Sequence, residues 1–495
     1  MQLHLLFFYA TILLLPTQLG KHFFPDWALV LGRRLDYLSP TLFLTDITIV
    51  FTIFFWLLQK IHNPKFRVQN IKINPKTLFV SLSLCLFVVL NILFAVSPLI
   101  AFYKWLKVLE FVLFGFYIVK TKPSCSRTLW CLSFAVLYSS IIAIAQFILQ
   151  HSVGGLLWFL GERTFDVNTP GIATIQILPI SIFPASPAGR NFQFSIFNLR
   201  EFLRPYATFP HPNVLGGFLA VTLPLIIFNN MTPLFNKFLL SQRVKRLSFV
   251  DPLRLSEASK AKPWAQRTIR SLKIFWTITI ILGCLALILT FSRSSWMAGI
   301  IGLSAVLLLH FKSVKNYPFA CFAKTSVMRV VFVAFVGLVG LFFVLPYLKT
   351  LTPDSESIFV RNELAGASLS IWKTSPIIGV GLGNFLVELP KYYPHRDIFF
   401  LQPVHNIYLL ILAETGIIGV AFCLFFLWKL YKHITRKRLF DICLPALSSC
   451  RRQVQAGHLS FVILLLLGAA DHYPLTLQQG QLLLTILMSF NLRSR

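Results

Sequence analysis

Long apolar runs recur through almost the whole chain, and they limit what it can fold into. Runs of about 17–25 apolar residues match the thickness of a bilayer core when helical. About twelve can be marked off, near residues 2–19, 41–59, 77–96, 101–119, 128–150, 214–229, 274–291, 294–310, 329–347, 405–428, 457–470 and 475–490. Composition agrees: 56% of residues are hydrophobic and 13% charged, with mean hydropathy +0.72. That leaves too little polar surface to cover a water-soluble body. The sequence therefore predicts an all-α polytopic membrane protein.

The formal net charge of +29 does not point to nucleic acid. The basic residues lie between apolar spans and not on one soluble module, as the positive-inside rule requires. The link 230–272, with Lys237, Arg243, Lys245, Arg246, Arg254, Lys260, Lys262, Arg267 and Arg270, is strongly basic, and so is 429–455. Placing these links in the cytoplasm puts the long loops 151–212 and 348–404, the SRSS turn and the DHYP turn together on the opposite face. None of the eight cysteines forms a CxxC pair, so neither a zinc site nor a redox motif is suggested. The N-terminus lacks the basic n-region and small-residue cleavage site of a signal peptide and reads as the first span. Four segments follow: 1–200, N-terminal helices and the first long loop; 201–347, central helices with arginine motifs; 348–404, the second long loop; 405–495, C-terminal helices.

The polar residues on that face carry any chemistry. Arg293, in TFSRSSW, is either a snorkelling anchor or an anion clamp, because a guanidinium fork matches phosphate geometry. Ser292, Ser294 and Ser295 add hydroxyl donors. Arg204 opens RPYATFPHPN, where Asn213 is placed to cap a helix beginning at Val214. His211 between two prolines reads as structural. A helix starts at Thr352–Pro353 and runs to about Lys373, carrying Arg361 and Trp372. GVGLGN at 379–384 lacks the strand–turn–helix setting of a dinucleotide fingerprint; its glycines instead permit a tight turn close to a ligand or helix. His405 and Asn406 open an apolar helix. Asn406 suits a helix cap, and His405 is either an interfacial imidazole or a general base. Glu414 is an intramembrane carboxylate that either orients a helix partner or pairs with an arginine. Asp46 and Glu110 pose the same choice, and Asp471–His472 form another acid–imidazole pair. There is no DxD sequence to support a metal-bound nucleotide-sugar site and no Walker motif.

Three of these motifs, in this order, resemble the O-antigen ligase and polymerase family of bacterial cell-envelope glycan enzymes. They are RPYATFPHPN at 204–213, TFSRSSWMAGI at 290–300, and PIIGVGLGNF at 376–385 with HNIYLLILAETGIIGV at 405–420; DHYPLTLQQGQ at 471–481 also fits. The resemblance spans roughly 200–490 and implies a glycosyltransferase of the GT-C type in the bacterial inner membrane, its active face extracytoplasmic. The donor would be a glycan on undecaprenyl pyrophosphate and the acceptor a glycan, lipid or protein. It implies an inverting, metal-independent reaction without a cofactor. Arg204 and Arg293 would hold the pyrophosphate and His405 would serve the acceptor hydroxyl. Arg361, Asn406, Asn213, Ser292 and Glu414 would contact substrate. The competing reading is a lipid-linked glycan flippase, which needs charged residues along a path through the spans.

Overall fold

The computed structural model describes residues 2–62, 74–177, 200–228, 263–313, 339, 355–393, 401–441 and 449–492. Helices account for most of them: α1 (Leu3–Leu13), α2 (Leu44–Ile61), α3 (Pro75–Leu93), α4 (Pro98–Thr121), α5 (Cys125–Leu149), α6 (Pro212–Phe228), α7 (Pro263–Leu289), α8 (Arg293–Ser313), α9 (Ser355–Thr374), α10 (Ile407–Asp441), α11 (Ser449–Gly468) and α12 (Gln478–Leu492). Local signals fix several starts. Asn74 accepts from the Lys76 amide with Pro75 at the first helical position, and Ser124 caps α5.

Three helices are long and apolar enough to cross a bilayer: α2, α5 and the part of α10 from Ile407 to Thr435. Shorter apolar helices include α1, Leu78–Leu93, α6, Ile274–Leu289, Arg293–Leu308 and Ala456–Gly468. The expected count of twelve spans is therefore not reproduced among the described residues. The first span shrinks to α1, since the chain turns after Leu13 and leads into a strand at Gly20. The expected span 329–347, the Thr352–Pro353 start and most of the link 230–272 lie outside the described residues. The all-α expectation also needs amending. Gly20–His22 (β1) pairs with Thr41–Phe43 (β4), Leu29–Val30 (β2) with Arg33–Arg34 (β3), and Thr174–Ile177 (β5) with Arg200–Leu203 (β6), all antiparallel.

Two apolar clusters position the polar face. The larger joins α1, α4–α8, α11 and α12 around Phe8, Phe114, Tyr117, Phe209 and Trp296. The smaller packs Leu364 and Ile371 of α9, Val380, Phe385 and Leu410 of α10 against Val30, Leu35 and Leu38 from the loop after α1. Most of α2, α3 and α4 that points outward is apolar, as lipid contact requires.

One break in α10 explains a sequence motif. Gly416 leaves the helix at φ 61° and ψ −167°, freeing backbone groups on both sides. The loop 376–384 takes them up. The amides of Val380 and Gly381 donate to the carbonyls of Ala413 and Glu414, and the amides of Ile417 and Ile418 donate to those of Pro376 and Ile377. Irregular backbone survives at membrane depth only when partnered in this way. Asn91 adds side-chain donors to the carbonyls of Ile378 and Glu414. A Cβ on Gly379, at φ +79°, would lie 2.3 Å from the Glu414 carbonyl carbon. The glycine-rich turn thus closes on a helix, one of its two expected uses.

Candidate functional site

Asp471, in the turn between α11 and α12, is the hub of the polar face. The turn is short because Gly468 ends α11 and Pro474 starts one further helical turn, Tyr473–Thr476. The buried carboxylate of Asp471 accepts the His472 amide at 2.8 Å and the Asn213 side-chain amide at 3.3 Å. His405 Nδ1 approaches Oδ1 at 3.4 Å, and His472 Nε2 stands 4.0 Å from the same atom. The first is a charge contact and not a well-aligned hydrogen bond, since Nδ1 is buried and otherwise unpartnered. Burial alone would push the Asp471 carboxyl up. The contact with His405 and the charges on His472, His405 and His211 outweigh it and hold the group well below the usual carboxylate range. His472 donates or accepts through Nδ1 at Thr476 Oγ1, 2.7 Å away. Its imidazole is lowered to about 4, first by burial, against the opposing pull of Asp471.

From Asp471 the network passes through Asn213 to Arg204. Asn213 Oδ1 accepts from Arg204 Nη2 at 2.8 Å, and Arg204 Nε donates to the Thr290 carbonyl at 2.8 Å. Thr290 lies three residues before Arg293. Ser295 Oγ donates to the Asn213 carbonyl at 3.3 Å and meets Ser292 Oγ at 2.9 Å, so the SRSS turn is fastened to the HPN turn. Arg293 is the first residue of α8 and is exposed on this turn. Asn213 does not cap α6, contrary to expectation. That helix begins at Pro212, and His211 Nδ1 accepts the Asn213 amide at 3.1 Å, which frees the asparagine side chain for Arg204 and Asp471. Burial and the neighbouring Arg204 lower the His211 imidazole to about 3, as befits a ring that accepts at Nδ1. The RPYATFP loop itself is pinned by Gln146 of α5. Its amide oxygen takes the backbone amides of Tyr206 and Ala207, and Ala207 sits at φ +51°.

On the other side of His405 is a pocket of about 190 Å³ lined by Arg361, Ala365, Val404, His405, Asn406, Leu409, Ala469 and Ala470. Arg361 reaches it from α9 and donates from Nη1 to the Ala470 carbonyl at 3.4 Å. Asn406 caps α10, accepting the amides of Tyr408 and Leu409 at 2.9 and 3.1 Å, and donates to the Ala469 carbonyl at 3.2 Å. Its side chain is thus spent on structure, although it borders the cavity. Glu414 is not in the pocket. It is buried, and its Oε1 accepts the Phe385 amide at 3.3 Å, so it holds the turn after GVGLGN and its expected contact with substrate is not supported.

His405, Asp471 and His472 form the one group among the described residues that could hold a metal ion, their ligand atoms lying within 4.8 Å of one another. Both oxygens of Asp471 and Nδ1 of His472 already have partners within the protein.

Residues 278–424 match the family model described as O-antigen ligase. The chain carries a domain of that family. It is a multi-pass membrane protein and an enzyme of the O-antigen ligase/polymerase kind. Neither curated proteins nor solved structures give a match. The matched segment contains Ser292, Arg293, Arg361, His405, Asn406 and Glu414. Arg204, Asn213 and Asp471 lie outside it, yet hydrogen bonds and a charge contact join them to it.

Sequence reasoning missed the N-terminal contribution. Tyr37, from the loop between α1 and α2, sets its ring edge-on to His472 at 5.5 Å, and Lys104 of α4 grips its carbonyl at 2.6 Å. Burial, then the charge of Asp471, raises the Tyr37 phenol. Arg163 donates to the Pro210 carbonyl at 2.7 Å and stacks over Tyr206. No spacing in the sequence pointed to either.

Proposed function

We propose that the protein transfers or polymerises a glycan from an undecaprenyl-pyrophosphate-linked donor at the extracytoplasmic face, by inversion and without a metal. One observation carries the reading: a continuous run from Arg204 through Asn213 and Asp471 to His405, built from three separate stretches of chain. A cation for a leaving pyrophosphate and an imidazole for an incoming hydroxyl are thereby joined in one assembly.

The chemistry follows from the parts. His405 Nδ1 faces Asp471, which leaves Nε2 for the acceptor. As the acceptor oxygen bonds to the anomeric carbon, the bond from that carbon to the pyrophosphate oxygen breaks. The hydroxyl proton passes to Nε2, and the carboxylate of Asp471 stabilises the imidazolium formed. Arg204 and Arg293 offset the charge that gathers on the departing pyrophosphate. The serine hydroxyls and the N-terminus of α8 add donors at the same end. A single displacement inverts the anomeric carbon. Since Asp471 is filled by N–H donors, the reading gives it an orienting role and not a metal.

The test is a deletion strain complemented with variants. His405→Ala and Arg293→Ala each abolish glycan transfer while the protein stays in the membrane at normal level. Unattached polymer in the deletion strain would indicate a ligase, and single attached repeats a polymerase. Transfer retained in both variants would refute the site.

A further inference from the structure

The pocket beside His405 and the Arg204 assembly lie on opposite sides of one buried carboxylate. Arg204 reaches His405 only through Asn213 and Asp471, whereas Arg361 shares a cavity wall with His405 directly. An anion lying across both would have to pass the fixed negative charge of Asp471. The two guanidiniums therefore serve two different anionic groups.

Resting on the transferase reading above, we infer that Arg361 and the N-terminal end of α10 form an acceptor-side subsite for a phosphate or carboxylate carried close to the acceptor hydroxyl. Three observations agree on that ligand chemistry. Among the described residues, the guanidinium has one long hydrogen bond of 3.4 Å, to Ala470, which uses one of its five N–H donors. The cavity is bordered by Val404, His405, Asn406 and Leu409 at the start of α10, where the helix dipole favours negative charge. Its remaining wall, Ala365, Val404, Leu409 and the two alanines, is apolar and small, which suits a sugar ring stacked against it and not a polyprenyl chain. About 190 Å³ is below the span of pockets that take drug-sized ligands, and fits one residue of an acceptor. The bland role for Arg361, capping the carbonyl end of α11, accounts for the Ala470 contact but not for the cavity.

The probes are inorganic phosphate and farnesyl pyrophosphate, with the purified full-length protein in nanodiscs. Phosphate affinity is measured with farnesyl pyrophosphate at saturation, so that the donor side is filled. Arg361→Gln lowers phosphate affinity by about ten- to a hundredfold, as expected for one lost charge-assisted hydrogen bond. Arg361→Lys recovers part of it, because the charge remains without the fork. Ala365→Leu, which fills the cavity and keeps the charge, lowers it as well. Farnesyl pyrophosphate binding stays unchanged in all three and is lost in Arg204→Gln. In the transfer assay, Arg361→Gln raises KM for the acceptor and leaves KM for the donor. If Arg361→Gln weakens farnesyl pyrophosphate equally, the anion is the donor's and the inference falls. If phosphate binding and acceptor KM are both unmoved, the residue only caps α11 and the inference also falls. Phosphate binding that depends on Arg361 in a protein that transfers nothing would instead retain the subsite and remove the transferase reading.

Discussion

Replacing Asp471 with Asn keeps the shape of the hub and removes its charge. One oxygen remains to accept the His472 amide, so the turn is largely preserved. What disappears is the attraction between the carboxylate and the imidazolium formed at His405 during transfer. At 3.4 Å and an effective dielectric near 20, Coulomb's law gives about 5 kcal/mol for that pair. This is a ceiling, because His405 keeps some contact with solvent. Positioned proton transfer of this kind contributes roughly 10²–10⁴-fold. Asp471→Asn should thus lower kcat by about 10²- to 10³-fold while KM for the donor barely moves, since the pyrophosphate is held by Arg204 and Arg293. The assay is single-turnover transfer by purified protein, with the melting transition recorded in parallel. A variant that melts like wild type and transfers at the wild-type rate would refute the orienting role of Asp471. A loss confined to KM for the donor would refute it too.

The break in α10 gives a stability prediction. Gly379→Ala places a Cβ 2.3 Å from the Glu414 carbonyl carbon, at a backbone φ of +79°, and so should cost about 1–3 kcal/mol from the backbone alone; a melting temperature unchanged in nanodiscs would contradict the pairing of loop and helix. Acidification should destabilise the fold. His211 and His472 titrate near 3 and 4 when folded, below the unfolded value of about 6.5, so the unfolded chain binds more protons in between and stability falls as pH drops from about 6.5 to 4. His472→Gln should flatten that fall in a thermal scan, and a dependence identical to wild type would show that His472 does not stay neutral when folded.

The linear motifs and their common purpose were legible because each occupies consecutive residues. The helix over Arg361 ended within a residue of its expected stop, since Pro376 limits it. The partnership of Asp471 with His405 was not legible. The two residues are 66 positions apart, and only the packing of α10 against the turn after α11 joins them. Asn213 looked like a cap because it stands before an apolar run, and nothing local announces that His211 takes that duty. Tyr37 sits in a segment that matched nothing beyond its hydropathy. Gly416 in AETGIIGV was a visible signal left unread: a glycine inside a helical run, four residues from another glycine, marks a place where backbone can open. Hydropathy overstated the spans because long aromatic runs, as near Leu14–Gly20, need not stay helical.

The claim that matters most is that this assembly breaks the bond between a glycan and its prenyl pyrophosphate. The direct measurement is release of undecaprenyl pyrophosphate from a synthetic lipid-linked glycan by purified protein, with acceptor and a chelator present. The account predicts one undecaprenyl pyrophosphate released for each glycan transferred by wild type, and none by His405→Ala. Movement of the intact donor across the bilayer without release, or equal release by His405→Ala, would contradict it.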